Sequence, residues 1–187
     1  MKVILHIGLP KTGTTSLQSF LYKNASELCS AGIIYEPDIF HEKFRQDIPL
    51  PTGPRCIAHQ AFLYSFLSQP EAVADFLVER LEKFRNGKLY IISSEGMGVH
   101  FSERHIKILA DKLKEYPVDI VMYMRRQDDL LDSWYKQWKK DGYNGCIKKN
   151  EVEPCVKHSL DYDAIIKLWE NIFSPCQSLS LSLSLSL

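Results

Sequence analysis

The chain has 187 residues, 23 of them Lys or Arg and 23 Asp or Glu, so its formal net charge is zero. This length fits one domain, and 45% apolar with 25% charged residues exclude wholesale disorder and collagen-like repeats. The balanced charge disfavours electrostatic binding of nucleic acid or membranes, and no apolar run reaches the roughly 18–20 residues of a membrane span. Five widely spaced cysteines without a CxxC pair suggest neither a disulfide framework nor a zinc site. With no N-terminal leader, they favour the cytoplasm.

Strand-like apolar runs and helix-like periods alternate along the chain. In chain order we predict a strand at 2–7, a helix beginning at Thr14, a short strand at 33–35, a Pro- and Asp-rich loop at 36–55, helices at 58–67 and 71–84, a strand at 88–93, a helix at 102–116, a strand at 118–124, and helices at 128–140 and 162–173. This alternation predicts an α/β fold in three layers, with a parallel sheet between flanking helices. Binding residues should then lie beyond the carboxyl ends of the strands.

The last ten residues, 178–187, are five Ser-Leu repeats. Perfect alternation permits one amphipathic strand, but such a repeat is more typical of low-complexity sequence. We therefore expect residues 1–177 to form the α/β domain and residues 178–187 to be a tail without function. A parallel sheet with only three clear strands is small, so we expect it to lack an edge.

The segment from Gly8 to Ser16, GLPKTGTTS, lies between the first predicted strand and the first predicted helix. Its two glycines let the backbone turn tightly around an anion, and the helix behind them presents unpaired N–H groups and a positive dipole end. Hydroxyl groups and the ammonium group of Lys11 add further donors. A Walker A loop would have a lysine where this chain has Thr14, so a nucleotide kinase or NTPase that binds ATP and Mg²⁺ is the weaker alternative.

Two segments of the sequence resemble motifs of one known protein family. Residues 7–18 resemble the 5′-phosphosulfate loop of sulfotransferases that use 3′-phosphoadenosine 5′-phosphosulfate (PAPS), in which the lysine lies inside the loop. Residues 118–140 resemble the 3′-phosphate motif of the same family, with Arg125 at a strand end and Ser133 eight residues further on. An arginine at a strand end and a serine in the next helix can both reach one phosphate group.

Weaker similarities extend the resemblance to about residue 173. Ser93, Ser94 and Glu95 follow a strand as in bacterial-type members, and Gly32 to Tyr35 with the later His59 resemble a further family motif. The resemblance implies a topology related to the P-loop NTPases. It also implies that the C-terminal part that completes the family's fold is absent, so we expect an incomplete domain.

The resemblance implies transfer of a sulfuryl group from PAPS to a hydroxyl or amine acceptor, without a metal. It assigns donor binding to these residues: Pro10, Lys11, Thr12, Gly13, Thr14, Thr15, Ser16, Arg125 and Ser133. Lys11 would neutralise charge on the leaving oxygen, and either His59 or Glu95 would be the general base. Histidine has the more suitable ordinary pKa, about 6.5, whereas a glutamate would need desolvation.

Two alternatives to a sulfotransferase remain at this point. One is the P-loop kinase or NTPase, and the other is a non-catalytic, nucleotide-binding remnant of a sulfotransferase. Small-molecule, carbohydrate and lipid acceptors all fit the sequence, and the oligomeric state is not predicted.

Overall fold

The computed structural model describes residues 1–44, 57–142, 154–173 and 178–183. Its centre is a parallel sheet of five strands in the order β2-β3-β1-β4-β5. The strands are β1 (Lys2–His6), β2 (Ile33–Ile34), β3 (Leu89–Ser93), β4 (Val118–Met124) and β5 (Ser178–Leu183). The predicted parallel α/β fold is confirmed. Because β3 and β4 flank β1, the carboxyl ends of these three strands lie side by side, where His6 is in register with Ser93 and Val121.

Ten helices are described around this sheet. They are α1 (Thr14–Lys23), α2 (Ala25–Ser30), α3 (Pro37–Phe44), α4 (Gln60–Ser68), α5 (Pro70–Lys83), α6 (Met97–His100), α7 (Glu103–Leu113), α8 (Gln127–Lys140), α9 (Pro154–Ser159) and α10 (Tyr162–Phe173). The predicted bounds of β4 and α10 agree with the structure at both ends, and most of the others differ by a few residues. No helix in these described ranges is long and apolar enough to cross a bilayer.

The prediction of a loop at 36–55 is wrong in its first part, where Pro37–Phe44 form helix α3. Pro37 is the first residue of α3, a position where its missing N–H is not needed. Phe40 on the same helix is fully buried and packs edge-on against Phe62 and Phe76, with ring centroids 5.1 and 5.5 Å away. Burial of this aromatic face stabilises a helix that composition alone did not indicate. The rest of the predicted loop, residues 45–55, lies outside the described residues.

Two further differences concern short elements and the Ser-Leu repeat. Helices α6 and α9 were not predicted, and each is too short to show a helical period in the sequence. Ser178–Leu183, which we expected to be part of a tail, forms β5 and pairs in parallel with β4 over its six residues. The division of the chain at residue 178 remains a prediction.

A hydrogen-bonded charge cluster fixes the segment after β2. The guanidinium group of Arg80 donates to Glu36 Oε1 at 2.8 Å and to Oε2 at 3.0 Å, and the hydroxyl of Tyr90 donates to Oε2 at 3.2 Å. Arg80 is 8% exposed and lies 5.2 Å from the ring centroid of Phe84. These contacts tie the chain after β2 to α5 and β3.

Candidate functional site

The loop between β1 and α1 has a backbone built to turn. Gly8, Lys11 and Gly13 have φ values of +46°, +68° and +85°, in the left-handed region that residues with a Cβ rarely adopt. Such conformations concentrate at functional sites, where the surrounding structure enforces them. The turn brings the chain to the N-terminus of α1, directly beyond the carboxyl end of β1.

The N-terminus of α1 is open to an anion. Gly13 occupies the N-cap position and supplies no side-chain cap, and the first turn contains no acidic residue. The first N–H groups of a helix have no acceptor within the helix, and the helix dipole places partial positive charge there. Thr15 and Ser16 on this turn are exposed. One N–H group of the turn, that of Ser16, donates to Gly13 O at 3.2 Å. The predicted phosphate cradle therefore offers the remaining N–H groups of the turn together with the exposed residues Thr15 and Ser16.

The loop packs closely on the turn that follows β3. Ser94 N–H donates to His6 O at 3.0 Å, and Gly98 N–H donates to Ile7 O at 3.2 Å. Between these two bonds, a Cβ placed on Gly8 would lie 3.0 Å from the Cα of Glu95. The absence of a side chain at Gly8 leaves room for Glu95 to lie against the loop.

The carboxylate of Glu95 lies at the start of α1. Thr14 Oγ1 donates to Glu95 Oε2 at 2.5 Å. Burial raises the pKa of Glu95, while the hydrogen bond from Thr14 and the nearby charge of Lys11 oppose this rise. The hydroxyl of Thr12 is engaged inside the loop, where it donates to Leu9 O at 2.7 Å. Thr12 and Thr14 therefore stabilise the loop and Glu95, respectively.

Lys11 is held from the opposite side by the segment formed by β4 and α8. Its Nζ donates to Gln137 Oε1 at 2.8 Å and lies 5.8 Å from the centroid of the Trp134 ring. Arg125 Nη1 donates to the backbone oxygen of Lys11 at 3.2 Å. The predicted catalytic lysine and the predicted 3′-phosphate arginine are thus in direct contact.

Arg125 directly follows β4 and retains donor capacity. Its Nε is buried and has no hydrogen-bond partner among the residues that the structure describes. The hydroxyl of Tyr162, at the start of α10, donates to the backbone oxygen of Arg125 at 2.5 Å and fixes this part of the chain. Ser133, the second predicted 3′-phosphate residue, is half-buried on α8, and Pro10 is half-buried in the loop.

His59, the other candidate base, has a different environment. It is fully buried, its Nδ1 accepts a hydrogen bond from Ser93 N–H at 3.2 Å, and the ring centroids of Tyr35 and Phe40 lie 5.0 and 5.8 Å away. Burial lowers the pKa of His59 to about 3. Of the two candidate bases, Glu95 is the one that hydrogen-bonds to the start of α1, and both roles stay predictions.

The sequence analysis assigned no role at the site to Gln137 or Trp134. The two residues are three positions apart on α8, so they lie on the same helix face, and both contact Lys11. This spacing is visible in the sequence. Their proximity to Lys11, which lies 126 positions from Gln137, is not.

Comparison with solved structures found a protein of similar fold. The chain is similar to the crystal structure of a sulfotransferase from Alicyclobacillus acidocaldarius, with a TM-score of 0.57 and 18% sequence identity over 98% of this chain and 73% of that chain. No protein-family model and no curated protein matches the sequence. The likeness is therefore one of fold, and it confirms the sulfotransferase-like architecture that the sequence motifs predicted.

Proposed function

We propose that this protein is a sulfotransferase that moves a sulfuryl group from PAPS to a hydroxyl or amine acceptor. The observation that carries the proposal is the convergence of three groups beyond the carboxyl ends of β1 and β3. They are the open N-terminus of α1, the ammonium group of Lys11 and the carboxylate of Glu95. The sulfotransferase-like fold supports the same activity.

The described residues fit the donor's phosphate groups. The N–H groups of the first turn of α1 and the exposed hydroxyls of Thr15 and Ser16 would bind the 5′-phosphate. Arg125, whose buried Nε has no partner within the described part of the chain, would bind the 3′-phosphate together with Ser133. A guanidinium group forms strong, directional hydrogen bonds to phosphate.

The donor supplies the sulfuryl group, whose sulfur forms a bond to the acceptor oxygen or nitrogen as its bond to the 5′-phosphate oxygen breaks. Lys11 would neutralise the negative charge that develops on that phosphate oxygen. Glu95 would take the proton from the acceptor, and its raised pKa makes it a stronger base than an ordinary carboxylate. We favour Glu95 over His59, because the imidazole of His59 is fully buried and its Nδ1 is already occupied.

Thermal unfolding with adenosine 3′,5′-bisphosphate, and with ATP and Mg²⁺ for comparison, tests the donor site. A ligand that binds only the folded protein stabilises it by about 2.7 kcal/mol at 100 times its Kd. We expect adenosine 3′,5′-bisphosphate to raise the Tm and ATP with Mg²⁺ to leave it unchanged. A rise only with ATP and Mg²⁺ would favour the kinase alternative. Binding of the bisphosphate without transfer from PAPS to small-molecule, carbohydrate or lipid acceptors would favour the non-catalytic remnant.

Two variants assign the roles of the residues. Lys11→Ala should abolish transfer and lower the Tm only slightly, because the half-buried Lys11 side chain donates a single hydrogen bond, to Gln137. Arg125→Ala should weaken binding of adenosine 3′,5′-bisphosphate much more than that of adenosine 5′-monophosphate. Unchanged turnover in the first variant, or equal weakening in the second, would contradict the assigned role.

A further inference from the structure

We propose that Gln137 and Trp134 are positioning residues that hold the ammonium group of Lys11 on α8, apart from the carboxylate of Glu95. This inference rests on the proposed function, in which Lys11 and Glu95 act on opposite sides of the transferred group. It concerns two residues that the phosphate-binding motifs do not include.

The first observation is the pair of contacts at the ammonium group. Gln137 Oε1 accepts its hydrogen bond at 2.8 Å, and the Trp134 ring centroid lies 5.8 Å from Nζ. A cation over an aromatic face is attracted by the ring's quadrupole, and tryptophan binds cations best. Both contacts come from one face of α8, so a single rigid element fixes the position of the charge.

The second observation is the orientation of the Gln137 amide. Its Nε2 donates to Oδ1 of Asp141, the C-cap residue of α8, at 3.0 Å and to Oδ2 at 3.2 Å. A carboxylate accepts hydrogen bonds only, so it binds the NH₂ end of the amide. The oxygen end of Gln137 is therefore directed to Lys11, which needs an acceptor.

The third observation concerns Glu95. Lys11 is close enough for its charge to lower the pKa of Glu95, yet within residues 1–44, 57–142 and 154–173 Lys11 belongs to no ion pair. A direct ion pair would favour the ionised carboxylate more strongly and make it a weaker base. A direct ion pair with Glu95 would also neutralise the ammonium group, whose charge the leaving phosphate oxygen needs. A neutral amide and an indole ring hold Lys11 without either effect.

The backbone of Lys11 is anchored to the same segment. Arg125 Nη1 donates to Lys11 O at 3.2 Å, and Lys11 has a φ of +68°. Backbone and side chain of Lys11 are thus both bound to residues that follow β4. The side chain cannot swing toward Glu95 unless it leaves both Gln137 and Trp134.

The test compares Gln137→Met, which removes the acceptor but retains a similar shape, with Gln137→Glu, which creates a charged partner for Lys11. Lys136→Gln is the control, because Lys136 is an exposed neighbour on α8 and this change alters the net charge by the same amount as Gln137→Glu. The first readout needs no enzymatic activity. It is the rate at which an N-hydroxysuccinimide ester acylates Lys11, measured by peptide mass spectrometry relative to exposed Lys23.

We expect Gln137→Met to raise Lys11 acylation about tenfold, the size of effect expected for a hydrogen bond to a charged group. Gln137→Glu should reduce this acylation below the wild-type rate, and Lys136→Gln should leave it unchanged. An unchanged rate in both Gln137 variants would overturn the proposal. This readout decides whether Lys11 is held, even if the protein fails to bind adenosine 3′,5′-bisphosphate and the proposed function is wrong.

The second readout is release of adenosine 3′,5′-bisphosphate from PAPS, with water as the acceptor. If Gln137 positions Lys11, Gln137→Met and Gln137→Glu should each lower kcat about tenfold with KM nearly unchanged, because the donor's phosphates are bound elsewhere. A loss in KM alone, or no loss in either parameter, would overturn the positioning role. The Tm of each variant, compared with that of Lys136→Gln, separates this effect from a loss of folding.

Discussion

Gly8 and Gly13 provide a matched pair for testing how tightly the loop packs on the turn after β3. Both have positive φ values, +46° and +85°, so an alanine is strained at either position. A Cβ on Gly13 would meet nothing within 4 Å, whereas a Cβ on Gly8 would lie 3.0 Å from the Cα of Glu95. The hydrogen bonds Ser94 N–H to His6 O and Gly98 N–H to Ile7 O hold this turn on both sides. The clash at Gly8 therefore cannot be relieved by a side-chain rotation.

The expected magnitudes follow from these two environments. Gly13→Ala should reduce the free energy of unfolding by about 1 kcal/mol, the left-handed penalty less the gain from a stiffer unfolded chain. Gly8→Ala adds overpacking against a backbone atom, which raises the total loss to about 3 kcal/mol. For a chain of this length, each kcal/mol corresponds to about 2–4 °C in Tm.

Urea unfolding of the wild type and the two variants measures both losses, provided that the m-values agree. Equal losses for Gly8→Ala and Gly13→Ala would refute the argument, because only the φ penalty would then be present. Gly8→Ala should also weaken binding of adenosine 3′,5′-bisphosphate more than Gly13→Ala does, since it displaces Glu95 and Thr14 at the start of α1.

Two further predictions concern buried charge. Burial raises the pKa of Glu95 above its ordinary 4.5, so protonation favours the folded state. The stability that this provides is complete below pH 4.5 and is lost as the pH rises. Wild type should therefore lose unfolding free energy relative to Glu95→Gln from pH 4.5 towards neutrality, and parallel pH profiles of the two proteins would contradict this. Arg80→Met should cost about 3 kcal/mol in urea unfolding, because it removes the Nε and Nη2 groups that both donate to the Glu36 carboxylate. Adding Glu36→Gln should restore part of that loss, and a further loss in the double variant would contradict the pairing.

The three clear strands β1, β3 and β4 and the longest helices could be predicted because their signals are local, whereas the expected loss of a sheet edge is not what the five-stranded sheet shows. β4 is an apolar run interrupted only by Asp119, and α10 combines a strong apolar period with Asp161, whose carboxylate accepts a hydrogen bond from Ala164 N–H at 3.1 Å. Helix α3 was missed because Pro and Asp are typical of loops, and the burial of Phe40 that stabilises it depends on α4 and α5. Local composition does not contain that tertiary contact.

The candidate site likewise has features that contiguous residues indicate and others that depend on contacts between distant segments. The proposed phosphate cradle and the position of Lys11 within the loop were inferred from contiguous residues, and their role in binding stays a prediction. The contacts of Lys11 with Gln137 and Trp134, and the complete burial of His59, depend on how distant segments pack. The sequence could therefore name two candidate bases, and only the geometry distinguishes Glu95, beside the loop, from His59, in the interior.

Strand β5 has an unusual property because its sequence repeats with the same period as a strand. In the structure Asp119 is in register with Ser178 and Met124 with Leu183. A sliding of β5 by two residues along β4 would bring a serine again to each serine position and a leucine to each leucine position. The repeat therefore does not specify how far along β4 the strand begins. The observed register of β5 must be set by the parts of the chain on either side of the repeat and not by the repeat itself.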